Sequence, residues 1–173
     1  MAHSTSDVNI LKVEELISPE GLQLQLPMTP KLAETVVKGR AAIQDILHGH
    51  DDRFLMIVGP CSIHDEKAAM EYAVKFKELA DEVKDRILLV MRVYFEKPRT
   101  SLGWKGLIND PNLDGTFDIG KGLYTARKLL TDLAEIGILS GTEFLDPIVP
   151  QYIADLVSWA AIGARTTESQ MHR

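Results

Sequence analysis

Cysteine, long apolar segments and a leader sequence are all scarce or absent in this sequence. Its 173 residues contain one cysteine, Cys61, which excludes an internal disulfide and favours a reducing compartment. The longest apolar runs, Phe54–Val58 and Ile87–Met91, have five residues each, whereas a membrane-spanning helix needs about 20. The opening segment, MAHSTSDVNI, lacks the basic and apolar regions of a secretory signal. We therefore expect a cytoplasmic protein without a membrane segment.

Basic residues are too few for a protein whose main task is to bind nucleic acid. The chain has 19 Lys and Arg against 25 Asp and Glu, a formal net charge of −6 at pH 7. This balance argues against a dedicated nucleic-acid binder and against a basic protein of membrane surfaces, and it leaves room for a local basic pocket that binds a small anion. The hydrophobic content of 45% is enough for one domain with its own core.

Short apolar runs alternate with longer amphipathic segments along the chain. Residues 1–28 are expected to form an N-terminal arm with a short strand or helix around Ile10–Ile17, and residues 29–173 a single domain. The patterns predict helices from Thr29 to Gly49, from about Asp65 to Val83, from around Leu123 to Ile136 and from Pro150, and strands at Phe54–Val58, Ile87–Val93, Ile138–Leu145 and Trp159–Gly163. Strands that alternate with helices in this way predict a parallel α/β sheet.

Two architectures fit this alternation: a small doubly wound sheet, and the first half of a (β/α)8 barrel, which needs about 250 residues in all. A further helix is expected to begin at Thr166 or Thr167, just before the sequence stops, and this favours the half-barrel. In either architecture the apolar strands Phe54–Val58 and Ile87–Val93 are expected to be buried on both faces. The helix after Asp65 is expected to bury a stripe made of Ala69, Tyr72, Ala73, Phe76, Leu79, Ala80 and Val83.

Basic side chains gather where the second and fourth strands end, which is where both architectures place their ligands. Arg165 follows the fourth strand, and residues 92–105 carry one acidic residue against Arg92, Lys97, Arg99 and Lys105. Guanidinium groups bind phosphate and carboxylate in a bidentate way, which suits a phosphorylated substrate. A solvated loop with an ion pair at the strand end is the alternative. Arg92 weakens that alternative, because it interrupts an apolar run and a buried charge needs a partner or a ligand.

Two other residues at strand ends have alternative interpretations. Cys61 lies in a Gly-Pro-Cys-Ser turn after the first strand and is either a small buried apolar residue or a reactive thiol or metal ligand. The sequence has neither CxxC nor HxxxH spacing, so it predicts no complete metal site around Cys61. Glu143, on the third strand, is either a proton-transferring or water-orienting group or the partner of Arg92 or Arg165 in a salt bridge.

The segment Gly115–Gly122 (GTFDIGKG) is similar to a phosphate-binding P-loop. Gly122, however, stands where that motif needs a Ser or Thr hydroxyl for Mg²⁺, and no buried strand leads into the segment. Its glycines therefore indicate the start of the third helix and not a nucleotide site.

Four longer motifs resemble those of one enzyme family. They are Gly59–Asp65 (GPCSIHD), Arg92–Thr100 (RVYFEKPRT), Gly103–Pro111 (GWKGLINDP) and Gly163–Gln170 (GARTTESQ). Together and in this order they closely resemble the type I 3-deoxy-D-arabino-heptulosonate 7-phosphate (DAHP) synthases, and more narrowly the bacterial members that aromatic amino acids regulate. The resemblance extends over residues 10–173.

This resemblance implies a fold, a reaction and a cofactor. The fold would be a (β/α)8 TIM barrel with an N-terminal extension, of which this chain contains roughly the first four β/α units. The enzyme would condense phosphoenolpyruvate with erythrose 4-phosphate and water to give DAHP and phosphate, the first step of the shikimate pathway to aromatic amino acids. A divalent metal ion of the Mn, Fe, Co or Zn class would be required. Because the family's other metal ligands and its last four strands are missing here, we expect residues 1–173 alone to be inactive.

Matching the motifs residue by residue assigns implied roles to positions of this sequence. Cys61 resembles a metal ligand, and Lys97 and Glu143 resemble catalytic groups, with Glu143 holding the attacking water. The phosphoenolpyruvate site would contain Arg92, Lys97, Ala164 and Arg165, and the erythrose 4-phosphate site Lys97, Pro98, Arg99 and Thr100. An aromatic amino acid effector would bind near Asp7, Ile10, Asp146, Pro150 and Gln151, in a homodimer or homotetramer whose N-terminal arms contact neighbouring subunits.

Two alternatives involve different chemistry. An enzyme of the 3-deoxy-octulosonate 8-phosphate type would condense phosphoenolpyruvate with another aldose phosphate, but the segment Lys97–Pro111 favours the DAHP enzymes. The second alternative is a half-barrel that binds phosphate or an aromatic amino acid without catalysing a reaction.

Overall fold

Four parallel strands form one sheet, and they lie side by side in the order in which they occur along the chain. The computed structural model describes residues 5–6, 8–10, 13–99, 102–145 and 147–163. The strands are β1 (Phe54–Val58), β2 (Ile87–Arg92), β3 (Ser140–Phe144) and β4 (Trp159–Ile162). The helices are α1 (Pro19–Gln25), α2 (Pro30–Leu47), α3 (Glu66–Val83), α4 (Ile119–Glu135) and α5 (Val149–Ile153), and a 3-10 turn follows at Ala154–Leu156.

The strand order distinguishes between the two predicted architectures. Phe54 pairs with Ile87, Met91 with Ser140 and Gly141 with Trp159, all in parallel register. A doubly wound sheet reverses its strand order at a switch point, whereas the order β1-β2-β3-β4 has no reversal. The fold is therefore that of the first four β/α units of a (β/α)8 barrel, as predicted.

The N-terminal segment contains a helix that the periodicity did not predict. Residues 13–18 form neither a helix nor a strand, so the expected element around Ile10–Ile17 is wrong for the part that the structure describes. Helix α1 begins at Pro19 instead, where the Ser18 Oγ accepts a hydrogen bond from the Gly21 amide at 3.1 Å. A capping serine followed by proline is a strong helix start. The helix is held on the domain by Leu22, whose side chain is completely buried.

Helix α2 has the ends that its sequence predicts, whereas α3 buries less of its apolar stripe than expected. Thr29 caps α2 and Gly49 follows it with a φ of +75°, a conformation that glycine adopts readily. On α3, Tyr72 is 39% exposed and Leu79 is 49% exposed, so the prediction that both are buried is wrong. The residues of α3 that are buried are Ala69, Ala73 and Phe76.

The P-loop-like segment is a helix start, as predicted. Asp118 caps α4 by accepting a hydrogen bond from the Lys121 amide at 3.0 Å. A Cβ atom on Gly122 would lie 2.1 Å from the carbonyl oxygen of Ile108, which leaves no space for the hydroxyl-bearing residue that a P-loop needs. Gly122 is thus required where the helix packs on the preceding loop.

The burial of β1 differs from its prediction. Phe54 is 65% exposed and Val58 is 37% exposed, whereas Leu89, Val90 and Met91 of β2 are buried. The expectation that both faces of Phe54–Val58 are buried is therefore wrong. Among the described residues, β1 has a neighbouring strand on one side only, whereas β2 has one on each side. Within the described residues, no helix is long and apolar enough to cross a membrane.

Candidate active site

The carboxyl ends of the first three strands bring together residues that are far apart in sequence. Cys61 follows β1, Arg92 is the last residue of β2, and Glu143 lies near the end of β3. Because the strands are parallel, their carboxyl ends lie at the same end of the sheet, where barrels of this type carry their active sites.

A glycine allows the turn after β1 to approach β2. Gly59 has a φ of +142°, and a Cβ atom there would lie 3.1 Å from the backbone nitrogen and 3.2 Å from the carbonyl oxygen of Arg92. The Ile63 amide then donates a hydrogen bond of 2.9 Å to the carbonyl oxygen of Tyr94. These two contacts fix the position of Cys61 beside the end of β2.

The side-chain nitrogen of Lys97 contacts two atoms of Cys61. Its Nζ lies 2.9 Å from the Cys61 Sγ and 2.9 Å from the Cys61 carbonyl oxygen. The hydrogen bond and the charge of Lys97 lower the pKa of the Cys61 thiol, and the charges of Arg92 and Arg99 lower it further, while burial opposes the effect. Cys61 is exposed, which removes the alternative that it is a small buried apolar residue. An exposed thiol with a lowered pKa is a thiolate more often than an ordinary cysteine and is accordingly a better ligand or nucleophile.

The guanidinium of Arg92 is partly buried at the centre of this cluster. Its Nη2 lies 3.7 Å from the Cys61 Sγ, and its Cζ lies 4.0 Å from the centroid of the Tyr94 ring, the geometry of a cation–π contact. The Arg92 Nε is buried and has no hydrogen-bond partner among the described residues. The forked end of the side chain therefore remains available for an anionic group.

Tyr94 is a residue of the cluster that the sequence analysis did not identify. Burial raises the pKa of its hydroxyl; the nearby Arg92 opposes this rise, and the charges of Glu143 and Cys61 add to it. Tyr94 thus has all three of these groups as electrostatic neighbours. Its spacing from Arg92 is a usable signal, because residues two apart in an extended chain project to the same side.

Glu143 is half-buried and forms no ion pair with Arg92 among the described residues. This removes one of the two salt bridges that were considered for Glu143. The other involves Arg165, which lies outside the described residues.

The loop after β2 folds back on itself and presents Pro98 and Arg99. The Lys97 amide donates to the Lys105 carbonyl oxygen at 2.9 Å, which closes the loop. Arg99 is exposed, and Gly103, with a φ of +106°, passes close to its side chain. Thr100, the last residue assigned to the erythrose 4-phosphate site, lies outside the described residues.

The remaining predicted positions are only partly covered by the described residues. Ala164, Asp7 and Asp146 lie outside them. Ile10 lines a cavity of about 1070 Å³ together with residues 115–120, and neither Pro150 nor Gln151 contributes to that cavity.

The side chains around Cys61 meet only part of what the predicted divalent metal ion requires. The Cys61 thiolate is a suitable sulfur ligand for a borderline-soft ion. The described part of the chain contains no group of three or more His, Cys, Asp or Glu residues that could hold a metal ion. Cys61 therefore fits as one ligand, and a complete site would need donors from outside these residues.

Comparison with known proteins relates this arrangement to a family. The DAHP synthetase I family matches residues 27–173. The phospho-2-dehydro-3-deoxyheptonate aldolase of Amycolatopsis methanolica is 58% identical over 163 residues, which are 94% of this chain and 80% of that protein. The Phe-sensitive phospho-2-dehydro-3-deoxyheptonate aldolase of Escherichia coli K12 is 55% identical over 100% of this chain and 49% of its own length.

A solved structure gives the same result for the fold. The phospho-2-dehydro-3-deoxyheptonate aldolase of Francisella tularensis SCHU S4 superposes with a TM-score of 0.89 at 55% sequence identity, over 95% of this chain and 48% of that chain. The present chain thus spans about half the length of the Escherichia coli and Francisella tularensis relatives. The resemblance found in the sequence motifs is confirmed: the chain belongs to the DAHP synthetase I family.

Proposed function

We propose that this chain supplies the first half of a DAHP synthase, an enzyme that condenses phosphoenolpyruvate with erythrose 4-phosphate and water to give DAHP and phosphate. The observation that carries the proposal is the cluster of Cys61, Arg92 and Lys97 at the carboxyl ends of β1 and β2. Membership of the DAHP synthetase I family supports the same reaction and does not favour the octulosonate alternative.

Arg92 and Lys97 would bind phosphoenolpyruvate, with Ala164 and Arg165 completing the site. A guanidinium fork matches a phosphate or carboxylate, and the Lys97 ammonium adds a second positive charge beside it. Holding both charges in fixed positions aligns the reacting carbon of the enol with the aldehyde and lowers the entropic part of the barrier.

The loop that contains Pro98, Arg99 and Thr100 would bind erythrose 4-phosphate. Arg99 is exposed on the loop that begins at Lys97, so one short segment could contact both substrates. Glu143 would hold the water that adds to the second carbon of the enol, because a half-buried carboxylate can accept a hydrogen bond from that water and orient it.

Cys61 would supply one sulfur ligand to a divalent metal ion. When bound, such an ion polarises an aldehyde as a Lewis acid. Lys97 donates to the same sulfur and lowers the pKa of the thiol, which favours the thiolate form that a metal ion binds.

An aromatic amino acid effector would act at the segment around Asp146, Pro150 and Gln151, with Asp7 and Ile10 contributed by the arm of a neighbouring subunit in a dimer or tetramer. The Escherichia coli relative is named Phe-sensitive, which supports an effector of this class. In the present chain the Gln23 Nε2 donates to the Gln151 carbonyl oxygen at 3.2 Å, so the N-terminal segment already contacts this region.

The proposal is tested with a joined enzyme, in which residues 1–173 replace the matching half of the Escherichia coli Phe-sensitive relative. DAHP formation is measured from phosphoenolpyruvate with erythrose 4-phosphate, and arabinose 5-phosphate serves as the competing aldose. We expect activity with erythrose 4-phosphate only, and no activity from residues 1–173 alone.

Two arginine variants test whether Arg92 belongs to the active site. Arg92→Met is expected to reduce activity by roughly 100-fold or more, the typical effect of removing a group that stabilises transition-state charge. Arg53→Met is the control, because Arg53 pairs with Asp51 before β1, at the opposite end of the strand. A folded joined enzyme that is inactive, or that is unaffected by Arg92→Met, would contradict the proposal.

A further inference from the structure

Arg92 is held by unusually few polar contacts for a partly buried guanidinium. Among the described residues, its Nε has no partner and its Nη2 has only the distant Cys61 Sγ at 3.7 Å. Its planar end also lies over the face of Tyr94, at 4.0 Å from Cζ to the ring centroid. One of the few supports of the guanidinium is therefore an aromatic ring.

We propose that Tyr94 is a positioning residue, whose ring face holds the Arg92 guanidinium in the orientation that binds the anionic group of the substrate. This inference rests on the proposed function, in which Arg92 binds phosphoenolpyruvate.

The chemistry of the contact explains why a ring suits this position. A guanidinium is weakly hydrated and planar, so it stacks on an aromatic face without giving up the hydrogen-bond donors along its edge. The donors of Arg92 stay directed at a ligand, whereas a carboxylate partner would occupy them. The ring belongs to Tyr94, whose carbonyl oxygen is fixed by the Ile63 amide at 2.9 Å, so the support beneath Arg92 is itself anchored.

The ring face of Tyr94 and its hydroxyl group differ in their contacts. Glu143 and Cys61 are both charged neighbours of Tyr94, and the hydroxyl forms no hydrogen bond with a described residue. The ring face is thus the part of Tyr94 with a defined partner. Removal of the hydroxyl alone is expected to leave Arg92 in place.

The first test follows Arg92 directly in the 173-residue chain, by the Nε–Hε correlation in its nuclear magnetic resonance spectrum. The signal is assigned by its loss in Arg92→Lys. We expect the ring current of residue 94 to shift this signal in the wild type and in Tyr94→Phe, and the shift to disappear in Tyr94→Leu. Tyr124→Leu, which removes an exposed tyrosine from α4, is the matched control and should change nothing.

The second test titrates inorganic phosphate and follows the same signal. We expect the phosphate affinity to fall by roughly 2- to 30-fold in Tyr94→Leu, the range that a cation–π contact commonly contributes, and to stay near the wild-type value in Tyr94→Phe. Phenylalanines of increasing ring fluorination at position 94 keep the shape and withdraw electron density from the face. They should weaken phosphate binding stepwise, and they decide the matter if Tyr94→Leu does not fold.

The outcomes separate the two proposals. If phosphate binds the wild type and the fluorinated series equally well, the role of Tyr94 is overturned while the role of Arg92 in anion binding stands. If phosphate leaves the Arg92 signal of the wild type unchanged, anion binding by Arg92 is overturned, and with it the Arg92 part of the proposed function. If Tyr94→Phe is as defective as Tyr94→Leu, the hydroxyl and not the ring is responsible, and the inference is wrong.

Discussion

The ammonium group of Lys97 lies 2.9 Å from the thiol sulfur of Cys61, although the two residues come from the loops after different strands. Lys97 also donates to the Cys61 carbonyl oxygen at 2.9 Å, so a single side chain joins the ends of β1 and β2. The protonation state of the Cys61 thiol therefore depends on Lys97, a residue that is assigned to substrate binding.

The first prediction concerns the reactivity of Cys61. Lys97 lowers the pKa of the thiol, and the thiolate is the form that reacts with iodoacetamide. In the wild type the reaction should therefore persist at pH values below the usual range of a thiol. Lys97→Met raises the pKa, so the pH profile of alkylation should move to higher pH and the rate at neutral pH should fall.

Lys105→Met is the control for this measurement, because Lys105 lies in the same loop and contributes its backbone carbonyl to the Lys97 amide. Its side chain can be removed without changing that bond. Equal alkylation profiles for Lys97→Met and the wild type would show that the contact does not govern the thiol.

The second prediction concerns Arg127, whose side chain is completely buried. Its guanidinium donates to the Leu26 carbonyl oxygen at 2.9 Å, to the Tyr152 carbonyl oxygen at 2.7 Å and to both carboxylate oxygens of Asp155. Arg127→Met leaves those acceptors without their donor, and we expect the free energy of unfolding to fall by about 2–4 kcal/mol. Urea denaturation of the chain followed by circular dichroism measures it.

An exposed ion pair provides the contrast for Arg127. Lys31 and Glu135 are 62% and 52% exposed, and a pair of this kind contributes about 0–1 kcal/mol. Lys31→Met should therefore change the stability little. Similar losses for the two variants would mean that the bonds of Arg127 do not stabilise the docking of α1 on α4 and α5.

Local signals were sufficient to predict the order and bounds of most elements. Thr29 and Pro30 start α2, and Gly49 follows its end, as the capping pattern indicates. The same logic applied to Ser18 and Pro19 would have located α1. That helix has only seven residues, too few for a periodic pattern to be informative.

Other features depend on tertiary position and are not encoded locally. The run Phe54–Val58 is as apolar as Ile87–Met91, and the difference in burial between the two strands is visible only in the folded chain. The proximity of Cys61, Arg92 and Glu143 could be predicted in outline, because parallel strands share one carboxyl end. The spacing of Arg92 and Tyr94 indicates that they lie on the same side of the chain. Their contact also depends on the side-chain rotamers of both residues, which the sequence does not specify.

The third prediction concerns Pro150 and the proposed effector. Helix α5 has no side-chain cap at its N-terminus, and Pro150 occupies its first turn, where the fixed φ of proline favours a helix start. Pro150→Leu should loosen residues 147–151 and make the joined enzyme less sensitive to aromatic amino acids at near-normal activity. Activity is titrated with Phe, Tyr and Trp for both proteins.

Pro30→Leu is the matched substitution, because Pro30 also occupies the first turn of a helix but lies at the start of α2. It should leave the sensitivity unchanged. If the Pro150→Leu enzyme is inhibited as strongly as the parent, Pro150 serves only to start the helix and has no part in effector binding. A parent enzyme that none of the three amino acids inhibits would remove the effector proposal.

The last prediction uses two glycines that are two positions apart on α4. A Cβ atom on Gly122 would lie 2.1 Å from the Ile108 carbonyl oxygen, a backbone atom that cannot turn away, whereas at Gly120 the nearest atom would be the Asp118 Oδ1 at 3.7 Å. Gly122→Ala should therefore destabilise the chain by about 1–3 kcal/mol or more. Gly120→Ala should stabilise it by about 0.5–1 kcal/mol, because alanine is the better helix former. Opposite shifts of the urea midpoint are expected, and a stabilising Gly122→Ala would mean that α4 does not pack closely on the loop at Ile108.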